Sequence, residues 1–321
     1  MEKFFINLTS TIKNHDVILI ETHQNPDFDG LGSALALQQF INYLGKENYI
    51  ILKKNKLSNP IKKAFKLMDD KKIKYQLINT KDSLKKENPL LIVLDTHKQT
   101  MLEEPKTIDK INDIIVLDHH IKSKDYIKKT NLNYINSNMS STIEIITHYL
   151  KFVNFKVDEI IATFMLVGLE IDTNTFKLKT TDKTYETAAY LTKLGANNII
   201  KQELLKESKE KYITIHKLIE NSITINQNMA VCLFDDKIYE TKDLALIAEE
   251  LLRFEGIEVS FSIGFISKNT VGISARSLGN IDVEKIMNKL GGGGHVTEAA
   301  SQFVETTIEE VFIKLKEIIG G

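Results

Sequence analysis

The stretch Val17-Ile18-Leu19-Ile20-Glu21-Thr22-His23-Gln24-Asn25-Pro26-Asp27-Phe28-Asp29-Gly30, followed by helically spaced apolar residues over 31–44 and then Gly45, decides the fold. Val17–Glu21 is β-branched and leucine-rich and reads as a buried strand. The Asn-Pro-Asp segment reads as a loop, and 31–44 as a helix ending at a glycine C′ residue. The short apolar strand signal recurs at 90–94 and 114–117, each time running into an aspartate, while 142–152 and 158–168 have helical spacing. This alternation predicts an α/β chain whose N-terminal, mostly parallel sheet is flanked by helices. Such sheets bind ligands beyond the carboxyl ends of their strands, so the residues that follow each strand carry the functional reading.

At 321 residues the chain is about twice the length of one ordinary domain. The expected division is a catalytic domain at 1–190, a helical connector at 191–222 and a smaller α/β domain at 223–321. Strands in that second domain are expected at 229–234, 259–265 and 271–275, and helices near 244–254, 283–290 and 308–318. Hydrophobic residues at 42% and charged residues at 26% suit a globular protein and exclude collagen-like or disulfide-stapled classes. No apolar run reaches membrane-spanning length and the N-terminus lacks signal-peptide character, which leads us to expect a cytoplasmic protein. The single cysteine, Cys232, lies in an apolar run and reads as a buried strand thiol. A net charge of -1 disfavours long DNA as a partner, so a polyanionic ligand should be short and locally held. Arg253 and Arg276 are the only arginines among 42 basic residues.

His23, Asp27 and Asp29 place one imidazole and two carboxylates in the first loop. Hard oxygens with one nitrogen suit manganese or magnesium, although Pro-Asp-x-Asp-Gly is equally ordinary turn chemistry. The next two strands end in Asp95-Thr96-His97 and Asp118-His119-His120, and a later helix runs into Asp172. Five of the eight histidines lie beside such turns or strand ends, at 23, 97, 119, 120 and 295. Aspartates from several strand ends can bracket two cations ~3.5–4 Å apart, an arrangement suited to phosphoester hydrolysis. No phosphate-loop, dinucleotide-binding or G-x-S-x-G signature is present, which removes the main support for triphosphatase, dehydrogenase and serine-hydrolase readings. Farther on, Ser274-Ala275-Arg276-Ser277 precedes Gly291-Gly292-Gly293-Gly294-His295. Consecutive glycines can form an anion-binding nest and Arg276 can offer a planar fork to phosphate; a flexible hinge is the plainer alternative.

Asp118-His119-His120 resembles the name-giving motif of the DHH phosphoesterases, and 291–295 resembles the glycine-rich motif of their DHH-associated C-terminal domain. The resemblance covers nearly the whole chain and includes the first motif at 23–33, Asp95, Asp172 and the distal Arg276-Ser277. It implies a two-domain manganese-dependent phosphodiesterase, with magnesium or cobalt as substitutes, whose active site lies in the cleft between domains. By motif, His23, Asp27 and Asp95 would hold one manganese, and Asp29, Asp95, His119 and Asp172 the other, so Asp95 bridges. Water activated between the metals would attack phosphorus in line. Asp95 and His120 are the catalytic candidates, His120 contacting the phosphate or protonating the leaving oxygen. Ser274, Arg276, Gly292, Gly293, Gly294 and His295 would hold the far part of a nucleotide.

Within the family the resemblance points two ways. Residues 171–191 and 274–279 resemble cyclic-di-AMP phosphodiesterases of the membrane-anchored GdpP type, while Thr22-His23 and Gly32-Ser33 resemble the nanoRNase and phosphoadenosine-phosphate phosphatase branch. The first expectation is hydrolysis of cyclic-di-AMP to linear pApA, with AMP as a further product. The alternative is trimming of di- to pentanucleotides, with or without phosphatase activity on 3′-phosphoadenosine-5′-phosphate. A nucleotide sensor without turnover has no use for a full set of metal ligands. The chain would then be a stand-alone form or a catalytic fragment, as a monomer or a homodimer.

Overall fold

The computed structural model describes residues 1–54 and 57–320. The chain divides into two compact units, Met1–Lys206 and Glu207–Gly321. In the first, β1 (Val17–Glu21), β2 (Glu47–Ile51), β3 (Leu77–Ile78), β4 (Leu90–Leu94), β5 (Asp113–Asp118) and β6 (Leu132–Ile135) form one sheet in the order β3-β2-β1-β4-β5-β6. Every pairing in it is parallel. The strand order reverses between β1 and β4, the switch point where open parallel sheets leave room for a ligand.

This unit's helices are α1 (Glu2–Asn14), α2 (Phe28–Tyr43), α3 (Asn59–Asp70), α4 (Thr80–Ser83), α5 (Thr107–Lys110), α6 (Thr142–Phe152), α7 (Glu159–Asp172), α8 (Asp182–Lys193) and α9 (Asn198–Leu205). Ile18, Ile20, Ile92 and Leu117 face the main core with α1, α2, α6 and α7; Leu19, Val93 and Val116 face the other side, against Leu102, Ile108 and Ile127. Both faces are thus covered, which is why these strands read as unbroken apolar runs rather than alternating ones. Gly32 and Gly168 let α2 and α7 pass closely. A Cβ at Gly168 would stand 2.6 Å from the Phe28 carbonyl carbon and 2.7 Å from the Asp29 nitrogen. The helix expected to stop at Gly168 therefore continues to Asp172, the glycine serving contact rather than termination.

The second unit contains α10 (Lys209–Glu220), β7 (Ile223–Ile225), β8 (Met229–Ile238), α11 (Thr241–Leu251), β9 (Val259–Ser267), β10 (Thr270–Ser277), α12 (Val283–Lys289), β11 (Gly293–Gly294), β12 (Glu298–Val304) and α13 (Ile308–Ile319). Its sheet runs β11-β12-β10-β9-β8-β7 and is mixed, with β8 and β9 parallel and the other neighbours antiparallel. The helical connector expected at 191–222 falls on the end of α8, on α9 and on α10, of which α8 and α9 belong to the first unit and α10 to the second. Cys232 is fully buried in β8, its thiol against the Leu218 carbonyl at 3.1 Å, and burial pushes that thiol up to about 12. Among the described residues, no helix is long and apolar enough to cross a membrane.

Candidate metal centre

Beyond β1 the chain turns through His23 and Asp27 into α2. Asp27 caps that helix, its Oδ1 accepting the Asp29 and Gly30 N–H groups at 2.8 and 3.1 Å. Asp29, the second residue of the helix, sends its carboxylate to the start of α6, where Oδ2 accepts the Thr142 N–H at 2.8 Å and Oδ1 the Ile143 N–H at 2.7 Å. Two bare helix amides thus hold a buried carboxylate in a fixed orientation.

The loop beyond β4 begins at Asp95, which adopts a left-handed φ of 62°. Aspartate tolerates that conformation better than most side chains, and here it turns the carboxylate across the strand ends. The Asp95 N–H continues the ladder to the Leu117 carbonyl at 3.0 Å, while its Oδ1 accepts the Thr142 hydroxyl at 3.1 Å. His23 Nε2 lies 3.5 Å from Asp95 Oδ2 and 3.9 Å from Asp27 Oδ1. On the other side, His119 Nε2 lies 3.5 Å from Asp95 Oδ1, 3.7 Å from Asp29 Oδ2 and 3.2 Å from Asp172 Oδ2. The two oxygens of Asp95 therefore face two different donor sets. His23, Asp27 and Asp95 form one, and Asp29, His119 and Asp172 the other, with the ligand atoms of each within 4.8 Å of one another.

The protonation of these groups fits divalent cations. Burial, then the Asp172 charge, pushes Asp29 up to about 7; burial, then Asp27, does the same for Asp172. Asp95 is raised well above its ordinary value by burial and by Asp29. These acids resist ionising together, which is the signature of a site whose charge balance wants a cation. Burial lowers His119 and keeps it neutral, as a ligand must be. Burial works against charge on His23, but Asp27 and Asp95 outweigh it and raise the imidazole to about 11; its Nδ1 lies 3.0 Å from the Gln24 carbonyl, so a cation bound at Nε2 would displace the proton there.

Asp118 also joins a possible donor set with Asp95, His119 and His120, but both of its oxygens are taken. One is held by His97 Nδ1; the other accepts the His120 N–H at 3.1 Å and His120 Nδ1 at 2.7 Å. His97 Nε2 in turn accepts the Ser123 N–H at 3.0 Å. This buried chain orients His120, whose side chain is 49% exposed. Burial works against charge on His120, but the Asp118 carboxylate outweighs it and raises the imidazole. In the sequence His97 stands beside Asp95 with no signal of this role, and nothing in the pattern marks Ser123 or Thr142.

The chain leaves Asp172 through three successive left-handed residues, Asn174, Thr175 and Phe176, with φ of 45°, 57° and 62°. For non-glycine residues this costs ~1–2 kcal/mol each, and it recurs at Lys179 with φ 48°.

In the second unit, Ser274, Arg276, Gly293 and Gly294 line one cavity of ≈ 270 Å³. The Arg276 guanidinium donates to the Ala275 carbonyl at 3.0 Å and lies 3.8 Å from the Glu298 carboxylate. A Cβ at Gly292 would stand 2.1 Å from the Ala300 carbonyl oxygen, so the strand approach itself demands glycine there. Gly292 and His295 are not among the residues lining the cavity; His295 is exposed and its N–H pairs with the Glu298 carbonyl at 2.7 Å.

Residues 17–169 match the family model described as "DHH family, N-terminal domain", and 226–321 match the DHHA1 domain. Cyclic-di-AMP phosphodiesterase GdpP of Bacillus subtilis is 32% identical over 310 residues, covering 94% of this chain and 47% of that protein. The chain spans about half the length of the cyclic-di-AMP phosphodiesterases it matches. A probable bifunctional oligoribonuclease and PAP phosphatase NrnA of Streptococcus mutans is 23% identical, with 98% of this chain and 99% of that protein covered. An exopolyphosphatase-related protein of Bacteroides fragilis shares the fold, with a TM-score of 0.83, 17% identity and coverage of 100% and 96%. The two domain matches fall on the two compact units, and the chain belongs to the DHH family, with a DHHA1 domain following the family's N-terminal domain.

Proposed function

We propose that this chain is a manganese-dependent phosphodiesterase that linearises cyclic-di-AMP to pApA and carries pApA on to AMP. The observation that carries the reading is the pair of donor sets that meet at Asp95. The cyclic-di-AMP assignment is supported by relatives of that name at 32–34% identity across nearly the whole chain. Divalent cations held by His23, Asp27 and Asp95 and by Asp29, Asp95, His119 and Asp172 would supply Lewis-acid activation of water and of the phosphoryl group.

The chain's own side chains do the rest. Asp118 fixes His120 through Nδ1 and leaves Nε2 to donate to a phosphate oxygen or to the leaving oxygen. Thr142 holds Asp95 by its hydroxyl and Asp29 by its amide, so one residue fixes the carboxylates of both sets. In the second unit, Ser274, Arg276, the 292–294 glycines and His295 are assigned to substrate binding, Arg276 by its planar donor fork.

A second reading, a nanoRNase with 3′-phosphoadenosine-5′-phosphate phosphatase activity, is favoured by the end-to-end match to NrnA. Turnover of cyclic-di-AMP, pApA, short RNA and the bisphosphate nucleotide with manganese, resolved by chromatography, separates the two. Cyclic-di-AMP should show the highest kcat/KM, with pApA as product or intermediate. Cleavage confined to linear oligonucleotides or the bisphosphate would establish the second reading instead.

A further inference from the structure

The strained segment after Asp172 builds something besides a turn. It packs Phe176 against Tyr185 of α8 as a stacked pair, ring centroids 5.5 Å apart and planes at 22°. Phe176 is half-buried on the main core, whereas Tyr185 remains 57% exposed. Together with Asn138, Lys177, Lys179 and Thr181 these rings line a groove of ≈ 690 Å³. Lys179 is near enough to the metal centre to act electrostatically on both His119 and Asp172.

An exposed aromatic face, a lysine on the same groove that acts on Asp172, and neighbouring hydroxyl and amide groups form the pattern that takes a base with its phosphate. The ordinary fate of a tyrosine on a helix surface does not require three left-handed residues to seat its partner ring. Strain held beside a reactive centre points to a preorganised contact. An acidic or neutral groove would have suited another ligand, but both charged side chains on this lining are lysines.

We infer that this groove is a nucleoside subsite of the first unit: a nucleobase stacks on the outer face of Tyr185 over Phe176, while Lys179 contacts the adjoining phosphate. This rests on the nucleotide phosphodiester reading and adds to it a base contact within the metal-bearing unit.

The test is equilibrium binding of AMP and of ribose 5-phosphate to the manganese-loaded full chain, by calorimetry. The two ligands share the phosphate and the sugar, so their ratio reports the base. AMP should bind about tenfold more tightly, from the usual range for base–aromatic stacking. Tyr185→Ala should remove that ratio and Tyr185→Phe should keep it, both with unchanged metal content and melting temperature. Lys179→Gln should weaken both ligands alike. Equal binding of the two ligands by the unaltered chain, no binding of either, or a ratio that survives Tyr185→Ala would overturn the inference. Loss of every phosphodiesterase activity in the unaltered chain would overturn the hydrolase reading, and the AMP ratio would still decide the subsite.

Discussion

The first unit's sheet is parallel throughout and the second unit's is mixed, and this difference governs where buried polar chemistry collects. In the parallel sheet β1, β4 and β5 are neighbours and end at the same edge, so Asp29, Asp95, Asp118 and His119 crowd together while buried. Three of the acids in that region, Asp29, Asp95 and Asp172, are raised by burial and by neighbouring carboxylates. In the mixed sheet strand ends point both ways, and the buried polar residues are neutral hydroxyls. There Ser260 bonds the Ala248 carbonyl, Ser262 the Leu244 carbonyl at 2.6 Å and Ser301 the Leu290 carbonyl at 2.8 Å. Buried groups that satisfy each other hold a fold together; buried groups that repel each other mark a site waiting for a ligand.

If that contrast is right, altering one of the mutually repelling acids of the first unit costs turnover, and altering one of the hydroxyls bonded to a helix carbonyl in the second costs stability. The largest effect is expected at Asp95. Asn fits the left-handed backbone but lacks the charge shared by both donor sets, so Asp95→Asn should lower turnover by several orders of magnitude with the fold intact by circular dichroism. Near-normal activity would remove Asp95 from its bridging place.

Next comes His120→Ala, expected to lower kcat by about 10²-fold or more while leaving metal content unchanged, whereas His119→Ala should lose metal. Metal analysis of the two variants separates an oriented proton donor from a ligand. In the second unit, Arg276→Lys preserves charge without the fork and should weaken binding of a dinucleotide by ~1–3 kcal/mol, with metal content unchanged. An unaltered dissociation constant would leave Arg276 as a partner of Glu298 only. The smallest effect is expected from Ser262→Ala, which leaves the Leu244 carbonyl without its side-chain donor: about 1 kcal/mol of stability and no change in kcat. A large loss of activity in that variant would break the contrast between the units.

What could be read from sequence follows the same physics. β1, β4 and β5 are buried on both faces, so their apolar runs are unbroken and the aspartates that end them stand out. β2 begins with Glu47 and Asn48, β3 has two residues and β6 is partly exposed, so none carried enough pattern to be anticipated. The aspartates and histidines of the candidate metal centre are legible because they lie at or just beyond the ends of strands and helices. Ser123 and Thr142 are not, because their partners at His97 and Asp95 are 26 and 47 residues away in the chain. Gly168 looked like a helix end because a glycine that avoids Phe28 and Asp29 cannot be told from a cap without the neighbouring helix.

Manganese titration of the full chain followed by electron paramagnetic resonance tests the central claim most directly. Two donor sets joined by Asp95 should bind two manganese ions per chain that are magnetically coupled, and Asp95→Asn should abolish the coupling. A single isolated ion in the unaltered chain, or a coupled pair that persists in Asp95→Asn, would contradict it.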